Sequence, residues 1–272
     1  MAGPALFHDQ LGGAAAAGWT HLDAHHPDVG TALAEALKGV DPFVVPALLA
    51  AETRPRVLVV GEGALVILRG VNLNEGSEPE DMVSLRLWAD ETRIVSARLR
   101  DLKAVEDTRA RKPQGSGATL ATLVQCIAER MEATIGALDD EASEVEERVL
   151  AGEGRDLRRS IVALRRRAIL LRRFLAPQRE AISALQGSSL GWIGPADRRS
   201  LYESSDRLLR YVEELDQVRD RLQVAKDELA NLQAERLNRN LYVLAIISAI
   251  FLPLGFLTGL LGINVGGVPG TE

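Results

Sequence analysis

Four side chains near the N-terminus, His21, Asp23, His25 and His26, are of the types that ligate transition metals, since neutral imidazole and carboxylate both offer lone pairs to zinc. Their spacing is loose and no cysteine accompanies them, so solvent-exposed loop residues at a strand end are the preferred reading. Asp139, Asp140, Glu141, Glu144, Glu146 and Glu147 form an acidic patch that would attract cations, though a solvated helix face is its ordinary explanation. Arg158, Arg159, Arg165, Arg166, Arg167, Arg172 and Arg173 form the opposite patch on the next segment. Charge complementarity between two antiparallel helices accounts for both patches better than RNA or lipid binding. No glycine loop at a strand-to-helix turn could cradle phosphate, and no nucleophile motif has a recognisable base, so an enzyme is not expected.

A further constellation is defined by what it lacks. From Asn240 to Thr271 there is no Asp, Glu, Lys, Arg or His. Leu241 to Leu261 would measure about 31 Å as a helix, which matches the hydrocarbon thickness of a bilayer. Arg236 and Arg239 precede this segment and nothing basic follows it, so the positive-inside rule leaves the N-terminal bulk in the cytoplasm and Asn264 on the far side. Ala245, Ser248, Gly255, Gly259 and Gly262 fall near one face, with Leu241 and Leu252 completing the stripe. Small residues let helices pack closely, but Pro253 tips the reading toward a pore. It cannot donate to the Ala249 carbonyl, which inside a membrane then needs water, a hydroxyl or a cation.

A divalent ion is costly to strip of water, and this segment offers no carboxylate to replace its inner shell, so the fitting passenger is a largely hydrated ion. At the segment's end, Gly262-Ile263-Asn264 supplies an amide oxygen and backbone carbonyls that can hydrogen-bond that hydration shell. One span cannot enclose a path, so transport requires several copies around an axis.

Composition agrees with these readings. The 272 residues carry a formal charge of -6, against the basic excess of a nucleic-acid binder. Cys126 is the only cysteine, which excludes an intrachain disulfide and a zinc site built from two thiolates of one chain. The first thirty residues lack the pattern of a cleaved secretory signal.

The elements that must position the stripe can be read in order. Residues 1–115 are expected to form an α/β domain with a mostly antiparallel sheet, since Gly61-Glu62-Gly63 and Ala89-Asp90-Glu91 each separate two strand-like runs. Asp41-Pro42 signals a helix over Phe43 to Ala51. Lys112 to Gly117 is a break, which places a domain boundary there and a long-helix stalk over 116–239. Leu120, Val124, Ile127, Met131, Ile135, Leu138, Ala142, Val145 and Val149 predict a helix ending near Gly152. A second helix is predicted from Asp156 to Leu185, bent at Pro177, and a third from Pro195 onward. In the third, Leu201, Leu208, Leu215, Leu222 and Leu229 repeat at seven, with Ser204, Tyr211, Val218, Ala225 and Leu232 three residues after each. That seam predicts helix packing, either between chains or against the two preceding helices, and offers a means of assembly.

Ile250 to Asn264, with proline nine residues before the glycine of Gly262-Ile263-Asn264, resembles the first transmembrane helix of CorA-type divalent cation transporters. Isoleucine stands where that family's signature has methionine. This departure, with Arg69-Gly70-Val71-Asn72-Leu73-Asn74 and Asp81 to Trp88, is similar to the ZntB branch. The resemblance implies an α+β homopentameric funnel in the inner membrane, with its N-terminal domain cytoplasmic. It implies a first transmembrane helix over 240–264, the start of an extracytoplasmic loop at 265–272, and a second span beyond Glu272. Asn238 matches a family asparagine of the pore helix, Leu241, Leu252 and Gly255 match pore-facing positions, and Asn264 matches the far mouth. Gly255 stands where a CorA channel often has threonine. The implied cargo is Zn2+, with Mg2+, Co2+ or Ni2+ in competition, and the implied partners are the bilayer and further copies of the chain, with no resident cofactor and no nucleic acid.

Overall fold

The computed structural model describes residues 3–12, 17–50, 53–153 and 156–260. Six strands, β1 (Ala5–Leu11), β2 (Ala17–Asp23), β3 (Arg56–Val60), β4 (Gly63–Gly70), β5 (Val83–Ala89) and β6 (Arg93–Arg98), form one sheet in the order β1-β2-β6-β5-β4-β3. Every neighbouring pair is antiparallel except β2 and β6. Both expected hairpins form. Gly61 sits at φ +57°, and Gly63 admits the Trp88 ring so closely that a Cβ there would meet it at 2.2 Å. At the other hairpin the Asp90 carboxylate accepts from the Thr92 and Arg93 amides at 3.0 and 3.1 Å and from the Trp88 indole at 2.9 Å.

Because strand side chains alternate between faces, the sheet builds two cores. Leu22, Leu65, Trp88, Val95 and Ala97 meet α1 (Val29–Ala36) and α2 (Val44–Leu49) on one face. Val66, Leu68, Leu85, Leu87 and Ile94 join the long helices on the other. The helix expected over Phe43 to Ala51 is shorter, since the Asp41 carboxylate binds the Phe43 amide ahead of it and Ala50 is already extended.

Four helices follow: α3 (Lys103–Arg111), α4 (Gly115–Leu150), α5 (Leu157–Gln186) and α6 (Pro195–Leu260). The expected break is narrower than Lys112 to Gly117. Lys112 is left-handed at φ 49°, but α4 starts at Gly115, and Gly117 serves close packing, since a Cβ there would meet the Trp192 carbonyl at 2.5 Å. All nine periodic positions of α4 are buried, Gly152 follows at φ +76°, and α5 runs through Pro177 as one helix.

The heptad seam finds its partners inside the chain. Leu201, Leu208, Leu215, Leu222 and Leu229 are all at most 4% exposed, packed by α4 and α5. The seam's apolar area is removed from water within one molecule, so it does not supply the surface between copies. Arg221 fastens α6 to α4 through Asp139 at 3.2 Å, and Arg172 fastens α5 to Asp216 of α6 at 2.7 Å. Among the described residues, the complementarity expected between the α4 acids and α5 arginines is realised by one pair, Arg167 with Glu141 at 2.6 Å. Arg165 instead reaches Gln223.

A candidate ion path on the last helix

With no glycine after Gly194 until Gly255, and no proline after Pro195 until Pro253, nothing local stops α6, and its 66 residues extend about 100 Å. Above Leu232 its side chains are exposed or half-exposed, Arg236 alone reaching back to the Gly152 carbonyl among the described residues, and its most apolar window is entirely unburied. It is one helix, among the described residues, long and apolar enough to cross a membrane.

Asn238, Leu241, Ala245, Ser248, Leu252, Gly255 and Gly259 all lie in α6. At about 100° per residue they share an arc of about 100°. Ser248 is half-exposed and the others are exposed. A Cβ added at Gly255 or Gly259 would meet nothing within 4 Å, so the small stripe is not shaped by contacts inside the chain. Thr258 satisfies its hydroxyl on the Gly255 carbonyl at 3.0 Å, which is the local bond hydroxyls favour in lipid. Gly262, Ile263 and Asn264 lie outside the described residues.

One further feature of α6 went unread in the sequence. Asp206, Glu213, Asp220 and Asp227 also repeat at seven, on the side left open by α4 and α5, and the series runs through Ala234 to Leu241. Asp206 pairs with Arg210 and Asp220 with Arg219 at 2.9 Å. The leucine repeat is the louder signal at the same period and hides this one.

The N-terminal candidates do not assemble. His21 is not a loop residue: it lies in β2 and is 1% exposed, stacked on Phe7. Ser96 Oγ accepts from the Trp19 indole at 2.7 Å and shares a hydrogen bond with His21 Nδ1, also at 2.7 Å. Burial above all, helped by Arg98 and Arg109, lowers its pKa to about 3. Asp23 Oδ1 instead accepts from the His25 amide at 2.9 Å, and His26 Nδ1 from the Asp28 amide at 3.2 Å, which are turn-forming bonds. No group of three or more His, Cys, Asp or Glu among the described residues is arranged to hold a metal ion.

The buried imidazole has a consequence for acid stability. Its folded pKa of about 3 lies below the ordinary 6.5, so the unfolded chain takes up a proton that the folded one refuses. Stability is therefore full above pH 6.5 and falls as pH drops toward 3. Thermal unfolding at pH 7 and pH 5 should differ by about 2 kcal/mol from this group, and His21→Gln should remove that difference. An unchanged acid limb in the variant would refute the assignment.

The sequence profile of the family described as CorA-like Mg2+ transporter protein matches residues 15–272. The chain is 42% identical over 261 residues to the Pseudomonas aeruginosa divalent cation transporter CmaX, covering 93% of this chain and 78% of that protein. It is 36% identical over 258 residues to the zinc transport protein ZntB of Yersinia enterocolitica, with the same shares covered. The solved structure of full-length CmaX superposes with a TM-score of 0.85 at 40% identity, covering 94% of this chain and 80% of that one. A sheet-based base, a three-helix stalk and one bare apolar helix, matched in fold and sequence over nearly their whole length, place the chain in the CorA-like Mg2+ transporter family.

Proposed function

We propose that this chain carries a divalent cation, Zn2+ first, across the inner membrane as a homopentamer whose five α6 helices surround the path. The observation that carries this reading is the stripe from Asn238 to Gly259, small or amide-bearing over most of its length, free of charge and left uncovered by its own chain. Five such faces around an axis offer a hydrated ion amides, a hydroxyl and backbone carbonyls, and Asn264 adds an amide at the far mouth. Below it, Glu213 and Asp227 of the acidic repeat, which pair with no arginine among the described residues, favour cations on the approach from the cytoplasmic side. Zn2+ is supported by the isoleucine of Gly262-Ile263-Asn264 and by the relatives whose names specify zinc. The name of CmaX specifies only a divalent cation, so Mg2+, Co2+ and Ni2+ are the competing cargoes.

Purified protein in liposomes tests the reading, with Zn2+ and Mg2+ entry compared at two pH gradients. Zn2+ entry that grows with an inward proton gradient, and Mg2+ entry that does not, is expected for proton-coupled zinc uptake. Mg2+ entry alone would move the assignment to a CorA-type channel, and a monomer without flux to a membrane-anchored scaffold.

A further inference from the structure

With the seam consumed internally, the stalks of neighbouring copies must meet on other faces, and two helix faces match each other in charge and height. α5 turns Arg158, Arg159 and Arg166 outward, with Val162 between them 57% exposed and Ile169 beyond them 50% exposed. α4 turns outward Asp140, Glu144 and Glu147, preceded by the small residues Ala133, Gly136 and Ala137. These three arginines and three carboxylates make no ion pair with any described residue, whereas their neighbours Arg167, Arg172, Asp139 and Glu141 are spent within the chain. A groove of about 840 Å³ runs along the arginine face, walled on its other side by Glu78 and Asp81.

The heights agree because the chain fixes them itself. The ion pair of Arg167 with Glu141 sets α4 and α5 level at mid-hairpin. From there, seven residues, or about 10.5 Å, separate Arg166 from Arg159 and Asp140 from Glu147. In a ring of copies turned about an axis parallel to the stalk, equal heights meet. Arg159 then faces Glu147 and Glu144, Arg166 faces Asp140, and Ile169 meets the smooth patch of Ala137 and Gly136. Since α6 packs on both helices, α4 and α5 form its two flanks, as a head-to-tail contact in a closed ring requires.

We propose that the outward face of α5 docks on the outward face of α4 of a second copy of this chain, and that this charge-complementary contact closes the ring. It rests on the homopentamer reading given above and names the surface that builds it.

Two differently tagged chains, one carrying Asp140→Cys and the other Arg166→Cys, both in a Cys126→Ser background, are co-expressed in membranes and treated with a short bifunctional maleimide. A product bearing both tags is expected. Its absence, while the wild type runs as an oligomer by light scattering in detergent, overturns the surface and leaves the assembly standing. A wild-type monomer overturns both. Arg159→Glu with Arg166→Glu should weaken assembly at least tenfold, and adding Asp140→Arg with Glu147→Arg should restore it, which separates lost contact from lost folding. Reversal without effect, or failure of the rescue, counts against the surface. So does an α5 face whose labelling is blocked by anionic phosphatidylglycerol vesicles instead of by a second chain.

Discussion

Replacing Asn264 by alanine is expected to lower divalent-cation entry into liposomes by about tenfold or more. In a ring, one substitution removes an amide oxygen from every copy, and each hydrogen bond to an ion's water shell contributes about 1 kcal/mol. The span has no carboxylate to take over, since Asn240 to Thr271 is free of ionisable side chains. The loss should therefore fall on conduction and selectivity while the folded oligomer persists. Asn264→Gln keeps the amide but moves it outward, and should retain part of the flux with altered preference among cations. Alanine entry rates equal to the wild type, with unchanged selectivity, would place the far mouth elsewhere.

Leu215→Ala is expected to destabilise the folded stalk by about 2 to 5 kcal/mol, the cost of lost burial plus the cavity left behind. Leu215 is 1% exposed at the middle of the seam, where α4 and α5 both lean on α6. Leu257→Ala, on the 50% exposed part of the same helix, removes no packing from its own chain and serves as the control. Thermal unfolding in detergent separates the two. A Leu215→Ala protein that melts within experimental error of the wild type would mean that the seam is not the stalk's core.

The long helices were legible because their burial repeats with the helix period. Leu201 to Leu229 and Leu120 to Val149 announce themselves wherever a single face is apolar. The two hairpins were legible from their glycine and aspartate turns. β1, β2, α1 and α3 were not given bounds, and for β2 and α3 the physical reason is plain. β2 buries a polar His21 inside a network with Trp19 and Ser96, which breaks the alternation that marks a strand. α3 is mostly charged and buries only Ala104, Val105 and Thr108, too little to register as an apolar stripe. For the candidate path, helix geometry alone placed the small residues on one face. What lies against that face depends on neighbouring copies, and a single sequence does not encode their positions as a pattern. The partners of the α5 arginines were misjudged for the same reason, since helix adjacency does not fix which side of each helix faces the other.

The unbroken course of α6 also has a mechanical meaning. From Leu201 to Pro253 it is a single shaft, gripped by two flanking helices along its lower part and, above Arg236, by no described residue outside the helix itself. Leu201 and Leu260 are about 88 Å apart along it, so a tilt of only about 5° at the gripped end swings the far end by about 8 Å. Pro253, with no hydrogen bond back to Ala249, is the weakest link in the shaft, and bending concentrates in the turn that leads into it. Leverage applied at the base thus reaches the start of the apolar segment undiminished, and the turn between Ala249 and Pro253 is the one compliant enough to absorb it.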